Sequence, residues 1–221
     1  MNRPPGFNQD FNGFNSATSE LLLPPWERRD RFGFLNGLYL TIKDVLLSPG
    51  PFFQRMPSQM GLAQPLFFAI TLGVAATFFG WMWSLAGSSL QLLVADNLGD
   101  VLRGPWWAFV LFLFSPIIIS VGIFIKAAMI HIVLILLGGN KLGFEATFRV
   151  SAYSEAAGIL ALLPVCGSVI GVIWGLVIVI IGLFSIHETD PWKAVVAVIL
   201  PMIIALSAIS GSVVALVAGL T

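Results

Sequence analysis

The sequence predicts an all-α polytopic membrane protein: a bundle of five transmembrane helices preceded by an interfacial amphipathic helix. Apolar residues make up 57% of the 221 residues and charged residues only 10%, against about half and about a quarter in an ordinary soluble domain. Long runs without charge recur from residue 65 onward, and such runs are long enough to cross a hydrocarbon core of about 30 Å. Ahead of them, apolar residues repeat at helical spacing over a stretch too short and too polar to span.

Formal net charge is zero, so no global basic field exists to hold nucleic acid, and the basic residues are read by position. Cys166 is the sole cysteine; it can form neither an intrachain disulfide nor a cysteine metal cluster, and a structural role is expected. The opening residues, MNRPPGFNQDFNGFN, place acids and prolines where a signal peptide has a basic and then an apolar region, so no cleaved signal is expected.

Residues 1–31 show no sustained period of 2 or 3.6 and read as a disordered cytoplasmic tail. Its aromatic residues, Phe7, Phe11, Phe14 and Trp26, are either a short docking motif or ordinary residues of a flexible terminus. Residues 32–63 form the interfacial segment. Leu35, Leu38, Tyr39, Ile42, Val45 and Leu46 share helical spacing, Asn36, Lys43 and Asp44 lie on other faces, and Pro49 stops the helix. Its apolar side is expected either in the headgroup boundary or against the protein's own spans. Pro49, Pro51 and Pro57 then bracket Phe52, Phe53 and Arg55 in a second short element.

Residues 64–221 form the membrane domain, with spans expected at 65–86, 105–137, 147–163, 167–187 and 193–218. The second is longer than a bilayer requires, and tilt, a kink at Pro116 and an end projecting into the 87–104 loop absorb the surplus. Arg55, Lys141, Arg149 and Lys193 fall at cytoplasmic span ends if the N-terminus is cytoplasmic, whereas Arg103 falls on the far side. The charge bias therefore favours a cytoplasmic N-terminus and an external C-terminus.

Gly167, Gly171 and Gly175 recur every fourth residue. This keeps one helix stripe bare so that a neighbour can approach closely, either inside the bundle or in a homodimer. Lys126, His131 and Glu155 lie within expected spans, at depths of about 20, 12 and 12 Å when counted from the 138–147 hinge. With Tyr153 they form a candidate intramembrane polar cluster: a structural clamp joining spans two and three, a proton or ion relay, or a lipid-headgroup pocket. The chain contains no GxSxG, HExxH, Walker loop, CxxC pair or dinucleotide fingerprint. No catalytic residue, cofactor or metal is therefore expected; the segment His187, Glu188, Asp190 reads as a solvated turn, with metal binding as the alternative.

Four stretches carry a resemblance: SPGPFFQRMP, GGNKLGFEATFRVSAYSEA, LLPVCGSVIGVIWGLVIVIIGL and HETDPWKA. Over residues 40–215 the chain resembles the Yip-one (Ypt-interacting protein one) domain family in its bacterial form, with Glu155-Ala156 standing where many relatives carry a small residue and proline. The resemblance implies five membrane helices with a cytoplasmic N-terminus. Eukaryotic members resemble adaptors that engage prenylated Rab-type GTPases and shape vesicle membranes, and no recognisable GTPase site stands in this tail. The expected function is a non-enzymatic scaffold of the bacterial inner membrane, with lipid, other membrane proteins or a second copy as partners and no nucleic acid. The alternative is a small transporter or channel using the Lys126, His131, Glu155 layer.

Overall fold

Long apolar sequence without water to solvate its backbone must satisfy its own hydrogen bonds, and every regular element among the described residues is helical. The structure, a computed structural model, describes residues 23–91, 98–164 and 166–218. The expected tail up to residue 22 and part of the expected loop at 87–104 lie outside them.

The folded chain begins earlier than the expected boundary at residue 31. Pro24 and Pro25 open a 3₁₀ turn over Pro25–Arg28, with Pro25 at the first helical position, where its missing N–H costs nothing. A further helical turn, Arg29–Phe32, follows. Trp26 is fully buried; its backbone N–H donates to Thr41 Oγ1 at 2.9 Å and its indole N–H to the Gln64 carbonyl at 2.9 Å. Tertiary packing thus orders residues 23–31, which lack any periodicity of their own.

Helix α1, Phe34–Leu47, matches the amphipathic segment, and its apolar stripe divides: Leu38, Ile42, Val45 and Leu46 pack against the core. Gly37, Thr41 and Val45, four residues apart, are buried against the body of the protein, while Leu35, Tyr39 and Leu47 are 77%, 61% and 73% exposed. A Cβ on Gly37 would lie 3.0 Å from the Pro25 carbonyl oxygen, so the absent side chain is what lets the N-terminal turn cross here. Helix α2, Pro49–Arg55, buries Phe52 and Phe53.

Helices α3 (Ala63–Gln91) and α4 (Leu98–Leu136) pack along each other, and Pro116 lies within the continuous α4 helix. At the end of α4, Gly138 takes φ +62° and the N–H groups of Gly138 and Gly139 return to the carbonyls of Ile135 and Leu134 at 3.0 and 2.8 Å. This Schellman turn closes the helix. Helix α5, Gly143–Tyr153, runs into a 3₁₀ segment, Ser154–Leu162. Helices α6 (Gly167–His187) and α7 (Pro191–Ala218) complete the bundle.

Among the described residues, three helical stretches are long and apolar enough to cross a membrane: Ala63–Ser89, Arg103–Leu136 and Gly167–His187. Pro191–Ser207 is a shorter apolar helix. The expected third span at 147–163 takes another form. Its α-helical part is buried from Ala146 through Tyr153, Arg149 included, and its remainder is 3₁₀. A segment with a guanidinium at its centre cannot face lipid, so it is enclosed by neighbouring helices.

Candidate functional site

Three polar groups assemble around α5 and its 3₁₀ continuation. In the first, Lys126 of α4 donates from Nζ to Glu155 Oε1 at 2.7 Å and to Ser154 Oγ at 3.2 Å. The two charged side chains are 35% and 32% exposed. Ser154 Oγ in turn donates to the Ser151 carbonyl at 2.7 Å. The ion pair between α4 and the hinge segment is therefore formed by Lys126 and Glu155, with Ser154 as a second acceptor and with neither His131 nor Tyr153 taking part.

His131 belongs to a second group. His187 Nδ1 faces the backbone N–H groups of Lys141 and Leu142, each at 3.3 Å. Accepting from them places the ring proton on Nε2, which donates to Thr147 Oγ1 at 3.0 Å, and the threonine hydroxyl donates onward to His131 Nδ1 at 3.0 Å. His187 is fully buried, which corrects the expectation of a solvated turn at this residue, whereas Glu188 and Asp190 are exposed as expected. Ile186 beside it belongs to the apolar core and the turn at 140–142 covers its Nδ1, which is why the imidazole is enclosed. Lys141 Nζ also donates to the Glu188 carbonyl, so this group staples the end of α4 to the end of α6.

Tyr153 belongs to the third. Its hydroxyl donates to Glu27 Oε1, which also accepts from the Arg149 guanidinium. Arg149 is fully buried and the Glu27 side chain is 4% exposed. A second guanidinium nitrogen donates to the Gly61 carbonyl at 3.1 Å. One turn earlier on α5, Glu145 Oε1 accepts the backbone N–H groups of Met60 and Gly61 at 2.5 and 2.6 Å. Burial pushes the Glu27 carboxyl above its ordinary range, and the Arg149 charge and the two hydrogen bonds only partly pull it back.

The four residues expected to form one cluster are thus divided: Lys126 with Glu155, His131 with Thr147 and His187, Tyr153 with Glu27 and Arg149. Glu27 escaped sequence reasoning because 126 residues separate it from Tyr153. The available signal was local: Pro24-Pro25-Trp26-Glu27 has a proline suited to a first helical position, followed by a bulky aromatic residue.

The glycine stripe packs inside the bundle. A Cβ on Gly167 would stand 2.0 Å from the Leu160 carbonyl oxygen, and one on Gly171 would stand 3.0 Å from that of Ala157. One on Gly175 would meet only the Ala157 Cβ at 3.5 Å. The stripe is the floor on which the 3₁₀ segment lies. Nearby, a cavity of about 770 Å³ has Lys126 and Glu155 in its wall, together with Gly122, Gly171 and Ala205.

Comparison with known protein families matches residues 43–212 to the Yip1 domain. Among curated proteins and among solved structures, nothing matches the chain.

Proposed function

Because the chain belongs to the Yip1 domain family, we propose that it is a non-enzymatic integral membrane scaffold that organises membrane partners or bilayer shape. Its place in this reading is the bacterial cytoplasmic membrane. The buried α5 unit and α7 complete a five-span count, with the N-terminus inside and the C-terminus outside. Support for the orientation comes from charge: Arg55 and Lys141 lie at the same end of the bundle, since Arg55 lines a cavity with Leu142 and Glu188 and Lys141 reaches the Glu188 carbonyl.

The observation that carries the scaffold reading is how the interior ionisable groups are used. Arg149, Glu27, Glu145 and His187 are committed to fastening the N-terminal segment, the turn at 60–61 and the helix ends together. The outward surface of α4 is apolar, with Leu111, Ile117 and Ile132 each more than half exposed, and it suits lipid or a partner helix. A transporter reading has one observation in its favour, the cavity reaching Lys126 and Glu155. His131 and Tyr153 do not line that cavity, and a relay through all four residues lacks the continuous geometry it requires.

Crosslinking in the native membrane followed by mass spectrometry tests the scaffold, with proteoliposome flux as the counter-measurement. The expected result is a reproducible set of membrane-protein neighbours, with proton and cation flux equal to that of empty liposomes. Flux above that background, abolished in Lys126→Met/Glu155→Leu, overturns the reading in favour of transport.

A further inference from the structure

We propose that the cavity between α3, α4, the 3₁₀ segment, α6 and α7 is a laterally open binding site for a phospholipid whose headgroup carries both a phosphate and a primary ammonium. The proposal goes beyond the scaffold reading and does not depend on it. Three features of the wall lead to it: shape, charge and unused hydrogen-bonding capacity.

The cavity measures about 770 Å³, within the range of small-molecule sites, about 300–1,000 Å³. Its room comes from missing side chains. A Cβ built on Gly80 of α3 or Gly122 of α4 meets nothing within 4 Å, and both residues line the space with Gly158, Gly171 and Ala205. Three of its walls, α3, α4 and α6, belong to helices apolar enough to cross a membrane, and α7 is a shorter apolar helix, so most of the wall suits acyl chains.

Lys126 lies ten residues before the end of α4 at Leu136, about 15 Å from that end. An ammonium and a carboxylate at such depth are costly wherever their hydrogen-bonding capacity is left open to hydrocarbon. Two of the wall's hydroxyls donate to the preceding turn of their own helical stretch: Thr77 to the Gly73 carbonyl at 3.0 Å, and Ser154 to that of Ser151 at 2.7 Å. The ion pair has capacity left. Lys126 uses two of its three N–H donors, on Glu155 and Ser154, and Glu155 engages Lys126 through Oε1, leaving Oε2 for another donor. Both side chains are about one-third exposed at the cavity.

The complementary ligand presents an anion to the lysine and an N–H cation to the carboxylate, a few bonds apart, on a body apolar enough to lie along the walls. An ethanolamine phospholipid meets these conditions. A choline headgroup has the charge but no N–H to donate to Glu155, and a glycerol headgroup has the anion without the cation.

The test uses the full chain in detergent, with dioleoyl phosphatidylethanolamine, phosphatidylcholine and phosphatidylglycerol supplied at equal concentration and retention read by native mass spectrometry. The ethanolamine lipid is expected to be retained about tenfold over the other two, the worth of one hydrogen bond to a charged group. Lys126→Met/Glu155→Leu is expected to abolish the preference. Gly122→Leu, one turn from Lys126, grows into the open space, leaves the charges in place and is expected to abolish it too. Equal retention of the three lipids by the natural chain overturns the proposal, as does a preference for phosphatidylglycerol. If the double variant melts early, Gly122→Leu decides alone, and an unchanged preference in that variant overturns the proposal.

Discussion

Arg149 is the residue on which the end of the bundle is fastened, since its guanidinium joins Glu27 and Gly61 from the middle of α5. Replacing it by methionine leaves the Glu27 carboxylate buried with Tyr153 as its remaining partner, and at neutral pH should cost about 3–5 kcal/mol. The pH dependence has a definite sign. Glu27 already holds its proton more tightly folded than unfolded, and loss of Arg149 strengthens that bias. Stability associated with this group is therefore present at low pH and lost as pH rises through the raised folded value. Thermal unfolding in detergent should show Arg149→Met closer to the natural chain in mild acid than at alkaline pH; a gap that widens on acidification would contradict this account. At Lys126 and Glu155, a pair about one-third exposed, Glu155→Gln should cost about 1.5 kcal/mol, the lower end for a hydrogen bond to a charged group. Lys126→Met combined with Glu155→Leu should recover much of that loss, because packed apolar side chains can replace an ion pair. Strictly additive losses in the melting cycle would show that the two side chains are not coupled.

At the scale of elements, the contact between α6 and the 3₁₀ segment depends on single methyl groups. Gly167→Ala drives a Cβ to 2.0 Å from a backbone oxygen, which only a backbone shift can relieve, at about 1–3 kcal/mol. Gly175→Ala, whose Cβ would sit 3.5 Å from that of Ala157, should melt at or above the natural temperature, since alanine favours a helix by about 1 kcal/mol over glycine. Equal melting temperatures for the two variants would mean that the stripe does not carry the packing. Helix α1 makes a different prediction, because it turns Gly37, Thr41 and Val45 inward and leaves Leu35, Tyr39 and Leu47 outside. Spin labels at the outer three positions should be shallowly immersed in lipid and protected from aqueous relaxants. Full water accessibility there would remove the interfacial role and leave α1 as a strap on the bundle.

For the whole molecule, the prediction is topological. If Arg55, Lys141 and Lys193 mark the cytoplasmic end, as proposed, a reporter active only outside the cytoplasm should work when fused after Thr221 and fail when fused after Gly139. The reverse pattern would invert the protein. Much of this architecture was legible in advance: the apolar runs announced α3, α4 and α6, and Pro49 marked the break between α1 and α2. The hinge segment was harder to read. Its composition resembles a span that tolerates Arg149, and what composition does not reveal is that its α-helical part is buried among neighbouring helices and that it changes from α to 3₁₀ at Ser154.

Hydrophobic content and helical period are properties of neighbouring residues, so the sequence by itself determined that the protein is helical, that it belongs in a membrane, and that Lys126 and Glu155 need partners. It also announced a bare stripe at Gly167, Gly171 and Gly175. Pairing across the bundle is another matter, because a hydrogen bond depends on ångström distances between residues far apart in the chain. Tertiary structure alone decided that Tyr153 reaches Glu27 rather than Lys126, and that His131 reaches His187 through Thr147. It also drew Trp26 out of an aperiodic tail into the core. Those choices follow from desolvation: a buried guanidinium or imidazole must take whichever partner the packed helices bring within reach, and no local pattern encodes which one that is.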